Sequence, residues 1–163
     1  MRSSPAFVVL RQRGASGNIE RGRIVLMGAM RKRYEELETD DGKVVRYRRH
    51  DNGGGLVAMT ASVDPTAFVA ETAWVDPGAQ IGGGAHLGAH VWVEPDAVIG
   101  PHARLGTHVH VGRGAVLGAG TRLATRVTVG DGAQVVDRTR VPAEATIPPA
   151  AHITPATSHT LAA

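Results

Sequence analysis

An aliphatic residue stands at every sixth position from Val57 to Ile153, without interruption. The series is Val57, Val63, Val69, Val75, Ile81, Leu87, Val93, Ile99, Leu105, Val111, Leu117, Leu123, Val129, Val135, Val141, Ile147 and Ile153. Two positions before each, from Val63 onward, stands a small or β-branched residue, as in Ala61, Ala67, Val91, Thr121 and Ala151. A helix face repeats at 3.6 and a strand at 2, so neither gives one aliphatic in six. A hexad period predicts a parallel β-helix, in which three short strands and three corners close one triangular coil. Each coil then takes 18 residues, and coils stack about 4.8 Å apart. Side chains alternate along a strand, so the aliphatic and the residue two before it point into the bore and the one between points out. Seventeen hexads, at three per coil, make between five and six coils. Gly and Pro fall between the strands, as in Asp64-Pro65, Gly82-Gly83-Gly84 and Pro148-Pro149, where corners need the φ values that Gly permits and Pro presets. The expected fold class is all-β, a triangular prism spanning residues 56–158 with a tail at 159–163.

The rest of the chain divides by charge and pattern. Residues 1–29 carry five basic residues and one acid, residues 30–55 seven and six, and residues 56–163 six and eight. The net charge of +3 thus comes mainly from the first segment. That segment has no sustained period and is expected to be poorly structured. Met27 or Met30 is the expected native start, which would leave 13 basic residues against 14 acids and remove the basic argument for nucleic-acid binding. Residues 30–55 read as a β cap: Arg33–Leu37 and Val44–Arg49 form a hairpin around a turn at Asp40–Lys43. Asp51–Gly55 reads as a flexible joint. A β-helix end presents an unpaired strand edge that needs covering. With no Cys, disulfides, thiolate nucleophiles and Cys-ligated zinc are excluded. No apolar run approaches spanning length, and Ala6–Leu10 is too short for a signal peptide. The expectation is a cytoplasmic or virion-associated protein with no membrane or nucleic-acid partner.

The hexads resemble the hexapeptide-repeat superfamily, which includes acyltransferases and γ-class carbonic anhydrases. Ala61-Ser62-Val63-Asp64-Pro65-Thr66-Ala67 looks like the opening hexads of lipid A-type acyltransferases. Residues 31–81 resemble bacterial and phage hexapeptide proteins of unsettled activity. The shared features are the Tyr34-Glu35 strand, the Gly54-Gly55-Leu56-Val57 step and the Ala73-Trp74-Val75 hexad. This resemblance implies a left-handed β-helix and a homotrimer.

Residues 18 apart should stack, which sorts the outward positions into columns. One column is Leu56, Trp74, Trp92, His110, Thr128 and Thr146. A second is Ser62, Gln80, Val98, Val116, Gln134 and His152. A third is Phe68, His86, Arg104, Arg122, Arg140 and Ser158. Trp74, Trp92, Val98 and Val116 are expected at a subunit interface, because large exposed apolar side chains mark contacts. Like charges opposed on neighbouring strands destabilise a sheet. Arg104, Arg122 and Arg140 therefore call for a polyanionic ligand or a neighbouring subunit's acids, unless they splay into water.

His90 and His108 are 18 apart and should share a corner position. They form the one pair spaced to share a zinc ion, although no metal is expected and solvated corner residues are the simpler reading. No two repeat-region histidines are five apart, so the γ-carbonic anhydrase ligand pattern does not carry over, and such an enzyme is the third reading of the chain. The acyltransferase resemblance implies a His general base at a hexad corner, acting on an acceptor as it attacks a CoA thioester. His90, His102 and His108 are the candidates, with Arg104 and Arg122 holding a CoA phosphate between subunits. No loop interrupts the period, so little encloses a substrate. The leading expectation is therefore a non-catalytic, homotrimeric assembly module without a cofactor. A CoA-dependent acyltransferase is the alternative.

Overall fold

The computed structural model describes residues 9–10 and 34–155, in two compact units that divide between Arg49 and His50. The first unit is an antiparallel sheet of β1 (Val9–Leu10), β2 (Tyr34–Glu38) and β3 (Val44–Arg49). The hairpin pairs Glu36 with Arg46 and Glu38 with Val44. It closes through Thr39 N–H on the Lys43 carbonyl and Gly42 N–H on Thr39, both at 2.8 Å. Leu37 and Tyr47 are buried, and Arg46 pairs with Glu36 at 3.1 Å. Val9–Leu10, within the segment expected to lack structure, lies antiparallel to β2 with Val9 opposite Glu38. The remainder of the 1–29 segment, with both proposed start residues, and the 159–163 tail lie outside the described residues.

The second unit is a left-handed parallel β-helix. Seventeen short strands, Leu56–Ala58 to His152–Ile153, recur every six residues and form three parallel sheets of six, six and five strands. The sheets reproduce the three outward columns. Face A pairs Leu56, Trp74, Trp92, His110, Thr128 and Thr146 in register. Face B pairs Ser62, Gln80, Val98, Val116, Gln134 and His152. Face C pairs Phe68, His86, Arg104, Arg122 and Arg140, and Ser158 lies outside the described residues. Every aliphatic of the series is buried, and so is each residue two before it except Ala151. No described helix is long and apolar enough to cross a membrane.

The corners follow one rule. Each sixth residue from Gly78 to Ala150 has a positive φ between 57° and 77°. From Asp96 onward its N–H donates to a carbonyl one coil back, as His108 does to Ala89 at 3.0 Å and Arg126 to Thr107 at 2.9 Å. In the first coil threonines stand at this position, without a positive φ. Their hydroxyls take over the carbonyl's role: Gly84 N–H donates to Thr66 Oγ1 and His90 N–H to Thr72 Oγ1, both at 3.0 Å. The Asp64 carboxylate in turn accepts both the hydroxyl and the N–H of Thr66.

Residues 51–55 are not a loose joint. Gly55 N–H bonds the Val69 carbonyl and Val69 N–H bonds Asn52, both at 3.0 Å. A Cβ at Gly53 would overlap the Val69 carbonyl, so Gly is required there by close backbone approach. His50 is buried beside this segment and bonds the Ala67 carbonyl through Nε2 at 2.8 Å.

Candidate functional site

Face C carries the file of arginines. Arg104, Arg122 and Arg140 are Cα partners on adjacent strands, all exposed. None makes a side-chain hydrogen bond or ion pair among the described residues. They border a recess of about 470 Å³ that is also lined by His86, Gly88, Gly106, Thr107 and Ala124. Small residues at the start of each corner open this recess beside the file. The file ends where His86 stacks on Phe68, with ring centroids 4.6 Å apart and planes 9° apart. Strand pairing holds the arginine backbones about 4.8 Å apart, in the single file foreseen from sequence.

The three histidines proposed as bases are all corner residues, with φ of 58° at His90, 59° at His102 and 57° at His108. His is among the few side chains enriched in this region. The rings of His90 and His108 lie 4.7 Å apart and tilted by 31°. Their column continues through Arg126 and Glu144, which pair with each other at 3.6 Å. Among the described residues no three ligand-type side chains converge, so a zinc site of three protein ligands is not assembled around this pair. The ring of His102 lies over Gly84, where a Cβ would come within 2.6 Å of its Nδ1.

Face A brings together a pair that the column reading missed. His110 Nε2–H donates to Glu94 Oε1 at 2.6 Å, and the Glu94 carboxyl is buried while His110 is 28% exposed. In the neutral ring, donation from Nε2 leaves the other nitrogen, Nδ1, as an acceptor; it has no hydrogen bond among the described residues. The same construction recurs one coil earlier, where Trp92 Nε1–H donates to Asp76 Oδ2 at 2.8 Å. Trp92 stacks on His110 with planes 6° apart. Each acid sits two residues after an outward ring and meets the ring of the next coil, a spacing of 16 that reading in steps of 18 skips. Trp92, expected at a subunit interface, is thus engaged within its own chain. On face B, Val98 and Val116 are paired neighbours, and Val116 is 37% exposed.

These features define a hexapeptide-repeat parallel β-helix. Residues 84–119, which hold Glu94, Arg104 and His110, match the family model described as bacterial transferase hexapeptide (six repeats). No curated protein matches the chain. Among solved structures it is similar to GDP-perosamine N-acetyltransferase from Caulobacter crescentus in complex with CoA and GDP-perosamine, at 24% identity and a TM-score of 0.33, over 60% of this chain and 51% of that one. It is also similar to the acetyltransferase domain of PglB from Neisseria gonorrhoeae in complex with acetyl coenzyme A, at 22% identity and a TM-score of 0.33, over 61% and 53%. A third is UDP-N-acetylglucosamine O-acyltransferase from Moraxella catarrhalis, at 16% identity and a TM-score of 0.30, over 56% and 62%. The chain spans about half the length of the first two.

Proposed function

We propose that this chain is a self-assembling β-helical scaffold that binds an anionic ligand on face C and does not itself catalyse a reaction. The observation that carries the reading is the file of Arg104, Arg122 and Arg140, in register and without an acid partner among the described residues. Three aligned guanidiniums are unfavourable alone and become favourable once an anion accepts their charge-assisted hydrogen bonds. The unbroken succession of strands from Leu56 to Ile153 supports the non-catalytic part, because no loop between coils encloses a substrate. A homotrimer that covers Val98 and Val116 completes the proposal. Retention on phosphocellulose tests it. Arg122→Glu should elute at clearly lower salt with an unchanged circular dichroism spectrum, and Arg113→Glu, an equal charge change at a corner, should elute later than Arg122→Glu. Equal elution of the two variants would overturn the reading.

A second reading, a CoA-dependent acyltransferase, is favoured by the His110–Glu94 pair inside the matched residues. Glu94 would fix the ring so that Nδ1 accepts the acceptor's proton as its oxygen or nitrogen attacks a thioester. Arg104 and Arg122 would hold phosphate oxygens of CoA. Calorimetry with acetyl-CoA separates the readings: binding that Arg122→Gln weakens, with acetyl transfer that His110→Ala abolishes, would select the enzyme.

A further inference from the structure

We infer that face C takes a short linear oligophosphate, laid along the prism axis with successive phosphates on Arg104, Arg122 and Arg140. This rests on the anion-binding reading of that face. The arginines stand in single file, one per coil, so the charge they complement is linear and not a compact tetrahedral anion. Two strand spacings, about 10 Å, separate the outer backbones. The recess runs beside the file over Gly88, Gly106 and Ala124, where little side chain keeps a ligand from the wall.

The same geometry limits the ligand's length. At one end the file stops at His86, whose ring is stacked on Phe68. Beyond the file, residues 56–163 hold eight acids against three basic residues, Arg113, Arg126 and Arg138, and Arg126 is already paired with Glu144. A long polyanion would leave the file and run onto a surface of its own sign. Nucleic acid is also poorly served. Single strands need a succession of aromatic platforms, and the ring pair of this face is stacked on itself. The backbone offers little to the ligand, because corner N–H groups such as those of His108 and Arg126 are bonded between coils. Recognition therefore falls to guanidiniums, which fork onto phosphate oxygens.

Calorimetry on the full chain with orthophosphate, pyrophosphate, tripolyphosphate, ATP and a short oligoadenylate tests the inference. Affinity should rise at each step from orthophosphate to tripolyphosphate. For tripolyphosphate, log K against log salt should have a slope of about −2, as three neutralised charges imply for a flexible strand. Arg122→Gln and Arg140→Gln should each weaken tripolyphosphate about tenfold, as loss of one charge-assisted contact implies, while Arg113→Gln should not. Equal affinity along the phosphate series would overturn the linear ligand and leave the anion-binding reading standing. Absence of binding by every anion would overturn both. Tighter binding of oligoadenylate than of tripolyphosphate would replace the inference with nucleic acid. A changed sedimentation coefficient in Arg122→Gln with unchanged affinity would reassign the file to a subunit contact. ATP binding tighter than tripolyphosphate would identify a nucleoside triphosphate as the source, and equal affinity a free phosphate chain; either supports the class.

Discussion

At the scale of single residues, two buried hydroxyls are the clearest misfits. Thr121 and Thr139 occupy bore positions on face C and are fully buried, and neither Oγ1 has a hydrogen-bond partner among the described residues. A buried hydroxyl without a partner costs about 1–3 kcal/mol. Val91, Val109 and Val127 fill the equivalent positions on face A, so the bore accepts valine's shape. Thr121→Val and Thr139→Val should each stabilise the protein by about 1 kcal/mol, read as a raised urea midpoint with unchanged slope. Glu94 is the opposite case, a buried carboxylate whose ring donor is in place. Glu94→Ala should cost about 2 kcal/mol, since it removes a charge-assisted bond and unseats the His110 ring. Asp64 is tuned by its neighbour: the Thr66 hydroxyl and then the Thr66 N–H hold its carboxyl below the usual carboxylate range. A depressed folded-state pKa means that its contribution is whole above the unfolded pKa and is lost as pH falls through the folded value. Asp64→Asn should therefore flatten the acid limb of stability below about pH 4, measured by thermal melts across that limb. The core residues were legible because burial in a narrow bore imposes size and polarity at fixed positions. Glu94 and His110 were not, because their bond runs diagonally between coils and belongs to no single column.

At the scale of elements, the corner is the unit that repeats. Eight of the corner residues with positive φ are not glycine: His90, Asp96, His102, His108, Arg126, Arg138, Glu144 and Ala150. The left-handed region costs an L-residue about 1–2 kcal/mol, and the fold carries this at corner after corner because each N–H there is bonded across coils. Ala150 isolates the backbone effect, because it is exposed and has almost no side chain to lose. Ala150→Gly should stabilise by up to about 1 kcal/mol, read by chemical denaturation. The sequence marks these corners only in part. Gly78, Gly84, Gly114, Gly120 and Gly132 carry the sign of a special φ, and the histidines and arginines in the same positions look like chemistry instead. That ambiguity is why His90, His102 and His108 read as candidate bases, although arginines, acids and an alanine share their backbone position. The first coil was harder still: Thr66 and Thr72 bond as substitutes for backbone carbonyls, and nothing in their spacing distinguishes them from surface threonines.

At the scale of the whole molecule, the solenoid makes position along the axis and choice of face separable. Repeat stability is close to a sum over neighbours, so a coil can be removed without destroying the rest. Deleting residues 113–130 removes 18 residues, one full coil, and joins Gly112 to Asp131 in phase. Every column survives, and Arg140 comes to lie beside Arg104 on face C, leaving a file of two. Deleting residues 113–118 removes a single hexad. The bore pattern again stays in phase, but all that follows turns by one face. Arg122 and Arg140 then move to the register of face B, and Arg104 is left alone on face C. Both proteins should keep a β circular dichroism spectrum and a cooperative transition, with the longer deletion showing the smaller denaturant slope because less surface is buried. Neither should keep the three-arginine site. The larger deletion should still prefer pyrophosphate to orthophosphate and gain nothing from a third phosphate. The smaller one keeps more of the chain yet should also hold tripolyphosphate more weakly than the intact chain, because at most two of its arginines share any face. If the six-residue deletion bound tripolyphosphate as tightly as the intact chain, the register of the arginines would be irrelevant to binding, and the assignment of the site to face C would fail.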